Sequence, residues 1–228
     1  MTKRVAQLVP VIDAHKVLVE AGILVPSSFA IVGDMRSERG ALIDADVVRL
    51  LPGVKVVKHG EAIFTRTNGI TGEWSCSCQQ GSGSCSVVST EDPDGNPGLS
   101  CTGECSGHCK LFVKIPGDQF NRLAVKSLGI DLSDDIQTFG DITSDAGCIM
   151  TTDNVDLRSH SNSTFVRWSD DTVLMLMRNQ ITGSFSCVCS KDGSCSIEIR
   201  EQSLVCKGDC AGRCNLVIKI PKISFVVA

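Results

Sequence analysis

The sequence predicts an α+β protein dominated by strands and built as a tandem duplication of a unit of about 110 residues. Three observations carry that expectation. "ITGEWSCSC" at 70 to 78 returns as "ITGSFSCVC" at 181 to 189, and "CKLFVKIP" at 109 to 116 returns as "CNLVIKIP" at 214 to 221. Upstream, Gly22, Ile23, Gly33, Asp34, Ser37, Gly40 and Asp46 recur 107 residues later as Gly129, Ile130, Gly140, Asp141, Ser144, Gly147 and Asp153. Most of what lies between is short apolar runs broken by Gly, Asp, Ser and Asn, the pattern of strands joined by turns. The repeats bound unit 1 at 1–116, with its cysteine-rich part at 70–116, and unit 2 at 117–228, with its cysteine-rich part at 181–221.

Each unit opens on a short helix. "DAHKVLVEAG" has Asp13 as N-cap and Gly22 as stop, and "DQFNRLAVKSLG" has Asp118 and Gly129 in those places. The runs "SFAIVGD", "VKVVKHG", "EAIFTRT" and "DTVLMLM" read as strands. "ALIDADVVRLLPG" at 41–53 reads as a second helix of unit 1, answered in unit 2 by the poorer helix former "CIMTTDNVDLRSH". The pairs Gly33 with Asp34 and Gly140 with Asp141 read as turns in which Asp caps its own backbone.

The cysteine-rich part begins with "FSCVCSKDGSCSIEIR", expected to be a hairpin about "KDG". Cys189 would then lie opposite Cys195, with Cys187 on the same face because side chains alternate along a strand. "WSCSCQQGSGSCSVV" groups Cys76, Cys78 and Cys85 in the same way. Then come "CTGECSGHC" at 101 to 109 and "CKGDCAGRC" at 206 to 214, each with three cysteines four residues apart and a glycine in every gap. Two glycines in nine residues cost a helix roughly 1 kcal/mol each against alanine. Tight turns, or a backbone packed closely against its neighbour, explain them better. The longer "STEDPDGNPGLS" of unit 1 replaces "REQSLV" of unit 2 and reads as a surface insertion.

Twelve of the 13 cysteines stand at corresponding places. Cys76, Cys78, Cys85, Cys101, Cys105 and Cys109 match Cys187, Cys189, Cys195, Cys206, Cys210 and Cys214. The expected function is metal binding, with one all-thiolate site per unit holding zinc or an iron–sulfur cluster in a structural or electron-transfer role and without enzymatic activity. Histidine is excluded from that ligand set: His15 and His108 align with arginines, and neither His59 nor His160 has a histidine counterpart. The alternative is three disulfides per unit in a metal-free structural or assembly subunit, and the third reading is an iron–sulfur enzyme. Energy does not choose between the first two. A disulfide typically contributes about 2–4 kcal/mol and a structural zinc about 10–16 kcal/mol of folding free energy, and either suffices. The odd cysteine, Cys148, replaces Ala41 and reads as a buried packing residue.

Composition narrows the rest. With 42% hydrophobic and 21% charged residues and a net charge of −4, nothing points to a nucleic-acid groove. Aromatics at 4% leave no stacking platform for bases or sugars. In "MTKRVAQLVPVIDAHKVLVEAG" the apolar stretch is interrupted by Pro10, Asp13, His15 and Lys16, so neither a signal peptide nor a membrane span is expected. That favours a cytoplasmic protein, or an extracellular or particle-associated one if the cysteines are oxidised. The expected partner is another protein or a second copy of the chain, with the two units packed about a pseudo-two-fold axis.

Overall fold

The computed structural model describes residues 12–59, 62–67, 70–91, 94–130, 132, 136–151, 163–177, 180–200 and 203–220. Strands dominate these residues, with two helices among them. The chain divides into two compact units, Ala14–Leu123 and Ala124 onward.

In the first, helix α1 (Ala14–Glu20) buries Val17 and Leu18. It stops where the sequence places the stop, the Gly22 N–H donating to the Val19 carbonyl at 2.9 Å. The strands that follow are β1 (Ile23–Leu24), β2 (Ile31–Val32), β3 (Ala41–Ile43), β4 (Val47–Leu50), β5 (Lys55–His59), β6 (Ala62–Thr67), β7 (Ile70–Gln79), β8 (Gly83–Glu91), β9 (Pro97–Cys105) and β10 (His108–Lys114). They form a six-stranded sheet in the order β2-β3-β10-β7-β6-β5 and a four-stranded sheet in the order β1-β4-β9-β8. Period-two patterning aims one face of the core strands inward. Ile63, Trp74, Leu111 and Val113 are buried from the first sheet, and Val48, Leu50, Val87 and Leu99 from the second. Trp74 is fully buried, and its indole N–H donates to Thr65 Oγ1 at 2.9 Å, so the ring enters the core without an orphan donor. β5 is exposed along its whole length, which makes the basic run at 55–59 a solvated edge.

The helix expected at 41–53 is corrected to β3 and β4. Burial there alternates: Ala41, Ile43, Val48 and Leu50 are buried while Val47 and Arg49 are exposed. β3 pairs with β10 and β4 with β9, so residues 44–46 carry the chain from one sheet to the other. Two apolar residues in every four satisfy a helical stripe loosely, but only a strand fits the strict alternation found on either side of Asp44–Asp46.

Helix α2 (Gly117–Ser127) spans the division between the units. It ends as expected, with Gly129 N–H donating to Lys126 O at 2.8 Å and Ile130 N–H to Val125 O at 3.4 Å, a Schellman closure. The second unit continues through β11 (Gln137–Asp141), β12 (Gly147–Thr151), β13 (Ser163–Ser169), β14 (Thr172–Met177), β15 (Gln180–Cys189), β16 (Ser196–Arg200), β17 (Ser203–Lys207) and β18 (Cys214–Lys219). Its six-stranded sheet has the order β11-β12-β18-β15-β14-β13, and β16 pairs with β17 in a second sheet. The fully buried Phe185 meets Phe165 edge to face at 5.6 Å. β12 covers the start of the stretch opposite the expected second helix; the remainder, with Asp153 and His160, lies outside the described residues.

The two Gly-Asp turns have the expected form. Asp34 Oδ1 accepts from the Arg36 N–H at 2.9 Å, and Asp141 Oδ1 accepts from the Thr143 N–H at 2.8 Å. Ser37 and Ser144 hydroxyls each donate to the preceding Asp carbonyl at 2.8 Å. Local hydrogen bonding therefore accounts for both aspartates.

Candidate functional site

The cysteines sit where the chain passes from one sheet to the other. β7 brings Cys76 and Cys78 to one face, as the alternation requires, but its partner is β10 and not β8: Cys78 lies opposite Cys109 and Cys76 opposite Leu111. β8 pairs with β9, placing Cys85 opposite Gly103, Val87 opposite Cys101 and Gly83 opposite Cys105. The hairpin expected at 76–85 is thereby corrected to an arch, in which β7 and β8 follow one another in sequence and belong to different sheets. β9 and β10 form a second arch beside it. Ser82 and Ser106 join the two bends, with Ser106 N–H donating to Ser82 O at 3.0 Å and Ser82 N–H to Ser106 Oγ at 2.9 Å.

The same correction holds at 187–195. β15 pairs with β18, setting Cys189 opposite Cys214, and β16 pairs with β17. A bridge between Gly193 and Cys210 replaces the expected facing of Cys189 and Cys195. The bends are tied by Ser190, whose N–H donates to Arg213 O at 3.0 Å and whose hydroxyl accepts from the Arg213 N–H at 2.8 Å. A hairpin and an arch have the same period-two strands and the same turn residues. They differ in which strand comes back alongside, and that is settled by distant partners.

The arches bring all twelve repeated cysteines together in pairs: Cys76 with Cys101, Cys78 with Cys105, Cys85 with Cys109, Cys187 with Cys206, Cys189 with Cys210 and Cys195 with Cys214. Cα separations run from 5.6 to 5.9 Å, within the range a disulfide requires. Every pair joins an element of one arch to an element of the other, and in the first unit all three cross from one sheet to the other. All twelve side chains are half-buried.

The glycines make this convergence feasible. In the ladder Cys85 and Cys105 each face a glycine, Gly103 and Gly83. A Cβ at Gly103 would stand 2.8 Å from Cys85 Cα, and one at Gly83 would stand 3.0 Å from Cys105 Cα. Gly208 and Gly193 answer them, at 2.7 Å from Cys195 Cα and 2.9 Å from Cys210 Cα. Gly83 and Gly193 also hold φ of +131° and +123°, where other residues are strained. Each of these glycines thus lets the main chain of the facing cysteine come closer than a side chain would allow. Gly83 and Gly193 had a signal in the sequence that the ladder overshadowed: both stand two residues before the third cysteine of their unit.

The geometry also creates a sulfur cluster. Sγ of Cys78, Cys85 and Cys105 all lie within 4.8 Å of one another, and so do those of Cys189, Cys195 and Cys210. Among the described residues no histidine joins either group. His15 Nε2 lies 3.0 Å from the Phe29 carbonyl, and His59 and His108 are exposed. Such an arrangement can do one of two things chemically: hold three disulfides, or, as thiolates, offer a soft cation several sulfur ligands at once.

Cys148 stands apart. It is fully buried on β12 opposite Ile218, where loss of hydration pushes its thiol above the ordinary 9.0 to about 11. A thiol so held stays protonated at neutral pH, in keeping with the packing role read from its match to Ala41 in the repeat. No helix of the described residues is long and apolar enough to cross a membrane. No family model, curated protein or solved structure matches the chain.

Proposed function

We propose that the chain is a disulfide-stapled structural or assembly subunit, made of two copies of one arch-bearing unit and working in an oxidising setting outside the cytoplasm or on a particle. The observation that carries this reading is the pairing itself. All twelve repeated cysteines find one partner each, across two arches, at Cα spacings suited to disulfides. The duplication is supported by the matched order of the two six-stranded sheets and by the matched 1–4, 2–5, 3–6 linkage of the cysteines. Three staples at about 3 kcal/mol each would tie the two sheets of a unit together, and in the first unit the exposed edge strand β5 offers a surface to a protein partner or to a second copy.

The sulfur triads favour a second reading, one zinc ion or iron–sulfur cluster per unit bound by cysteine alone. Mass spectrometry after alkylation in denaturant, without reductant, distinguishes the two. The disulfide reading expects one modified residue, Cys148, rising to all 13 after reduction, in a protein free of zinc and iron. Thirteen reactive thiols together with bound metal in the purified protein would replace it with the second reading.

A further inference from the structure

The triads do not use all six sulfurs of a unit. Cys78 and Cys105 are one pair, and Cys85 is half of the pair with Cys109. The cluster of three therefore draws on two of the three disulfides and leaves Cys76–Cys101 untouched. Cys109 completes the two opened pairs: its sulfur is bonded to that of Cys85, and its Cα faces that of Cys78 in the ladder. Cys76 and Cys101 lie one step further in, opposite the buried Leu111 and Val87. In the second unit Cys189, Cys195 and Cys210 form the triad and Cys214, opposite Cys189, supplies the fourth sulfur.

We propose that reduction turns the outer four cysteines of each unit into an S₄ site for a tetrahedral divalent cation of the zinc class. The ligands are Cys78, Cys85, Cys105 and Cys109 in one unit and Cys189, Cys195, Cys210 and Cys214 in the other. Cys76, Cys101, Cys187 and Cys206 take no part. Four thiolates at tetrahedral angles are one of the standard closed sites for such an ion, and three of the four sulfurs already converge. The glycines opposite Cys85 and Cys105 let the paired backbones approach closely at the site, where a Cβ would meet the facing main chain.

The chemistry balances with a phosphine as reductant. Each disulfide takes two electrons from phosphorus and two protons from water, giving two thiols and the phosphine oxide. Four thiols then bind one divalent cation and release four protons, so uptake strengthens as pH rises. The inference rests on the disulfide reading for the resting chain and adds a reduced, metal-binding state to it. Alkylation of the purified chain reports the resting state, while loading after reduction reports the site, so the two can fail separately.

The test is anaerobic titration of the full, phosphine-reduced chain with Co²⁺, whose tetrahedral thiolate complex has intense visible bands, followed by displacement with Zn²⁺. Two equivalents per chain are expected, with none bound by the oxidised chain. The double variant Cys76→Ser/Cys101→Ser retains two equivalents. Cys78→Ser/Cys105→Ser retains one, that of the second unit, and Cys109→Ser weakens the first site by about tenfold or more. Loss of a site on removing Cys76 and Cys101, full loading after removing Cys78 and Cys105, or a reduced chain that unfolds and takes up no cobalt would each overturn the proposal.

Discussion

The two units hold the same three pairs of cysteines on frames of different size. In the first, β8 and β9 form a hairpin of nine-residue strands within a four-stranded sheet. In the second, β16 and β17 are five residues each and make up a two-stranded sheet among the described residues. The sequence separations of the paired cysteines shrink accordingly, from 25, 27 and 24 to 19, 21 and 19. What survives this change is the region at the bends: the cysteines, the glycines opposite them and the backbone hydrogen bond that ties one bend to the other, from Ser106 N–H to Ser82 O in the first unit and from Ala211 N–H to Asp192 O in the second. Loop closure explains why length is free to vary. Entropy depends on the logarithm of loop length, so five or six residues alter each staple by only about 0.2 kcal/mol. A glycine at 83 or 103 has no such latitude, because a side chain there would meet the backbone of the opposite cysteine.

The largest losses of stability should come from the two aromatic centres. Trp74→Ala and Phe185→Ala each remove a fully buried ring and should each cost about 3–5 kcal/mol. Trp74→Ala should cost about 1 kcal/mol more than its counterpart, since Thr65 Oγ1, 2% exposed at the residue level, loses its donor. Trp74→Phe isolates that hydrogen bond. Native-state hydrogen exchange read peptide by peptide assigns each loss to its own unit. Equal costs for the two alanine variants would mean that the indole hydrogen bond contributes nothing net.

Next in size are the staples. Replacing Cys76 and Cys101 by serine in the oxidised chain, or Cys187 and Cys206, should lower stability by about 3 kcal/mol, and by the same amount in both units to within a few tenths. Guanidinium unfolding without reductant measures it. A much larger loss in the second unit would show that its short β16–β17 hairpin depends on the staple for more than loop entropy.

These expectations also mark what could be read from sequence. The helix stops at Gly22 and Gly129, the common face of Cys76 and Cys78, and the local Asp turns were legible because each depends on a few neighbouring residues. The alternation in "WSCSC" has no other reading in a strand. The pairing of β7 with β10 was not legible, because the strand that comes alongside is some 30 residues away and its own pattern, "CKLFVKIP", suits several partners equally. For the same reason residues 41–53 resembled a helix until β9 and β10 supplied partners for their two halves. The site was legible as a set of thiols. Which thiol meets which follows from the arches, and so it came only with the tertiary fold.

The smallest predicted loss of stability concerns the thirteenth cysteine. Cys148 faces Ile218 in the second unit, and Ala41 faces Val113 in the first, so a single sulfur separates two otherwise similar ladder positions. Burial raises the Cys148 thiol to about 11 from an ordinary 9.0. Because the folded pKa lies above the unfolded one, the folded chain keeps its proton more tightly. The contribution to stability is therefore complete below pH 9 and is lost as pH climbs through 11. Two pH units correspond to about 2–3 kcal/mol. Lysines also titrate in this range, so the informative quantity is the difference between the native chain and Cys148→Ala, which copies the first unit. That difference should be flat from pH 6 to 9 and then move in favour of the alanine variant by up to the stated amount at pH 11. A difference that stays constant to pH 11 would mean that the thiolate is solvated inside the folded unit, through an opening of β12 that reaches water before the rest of the sheet unfolds.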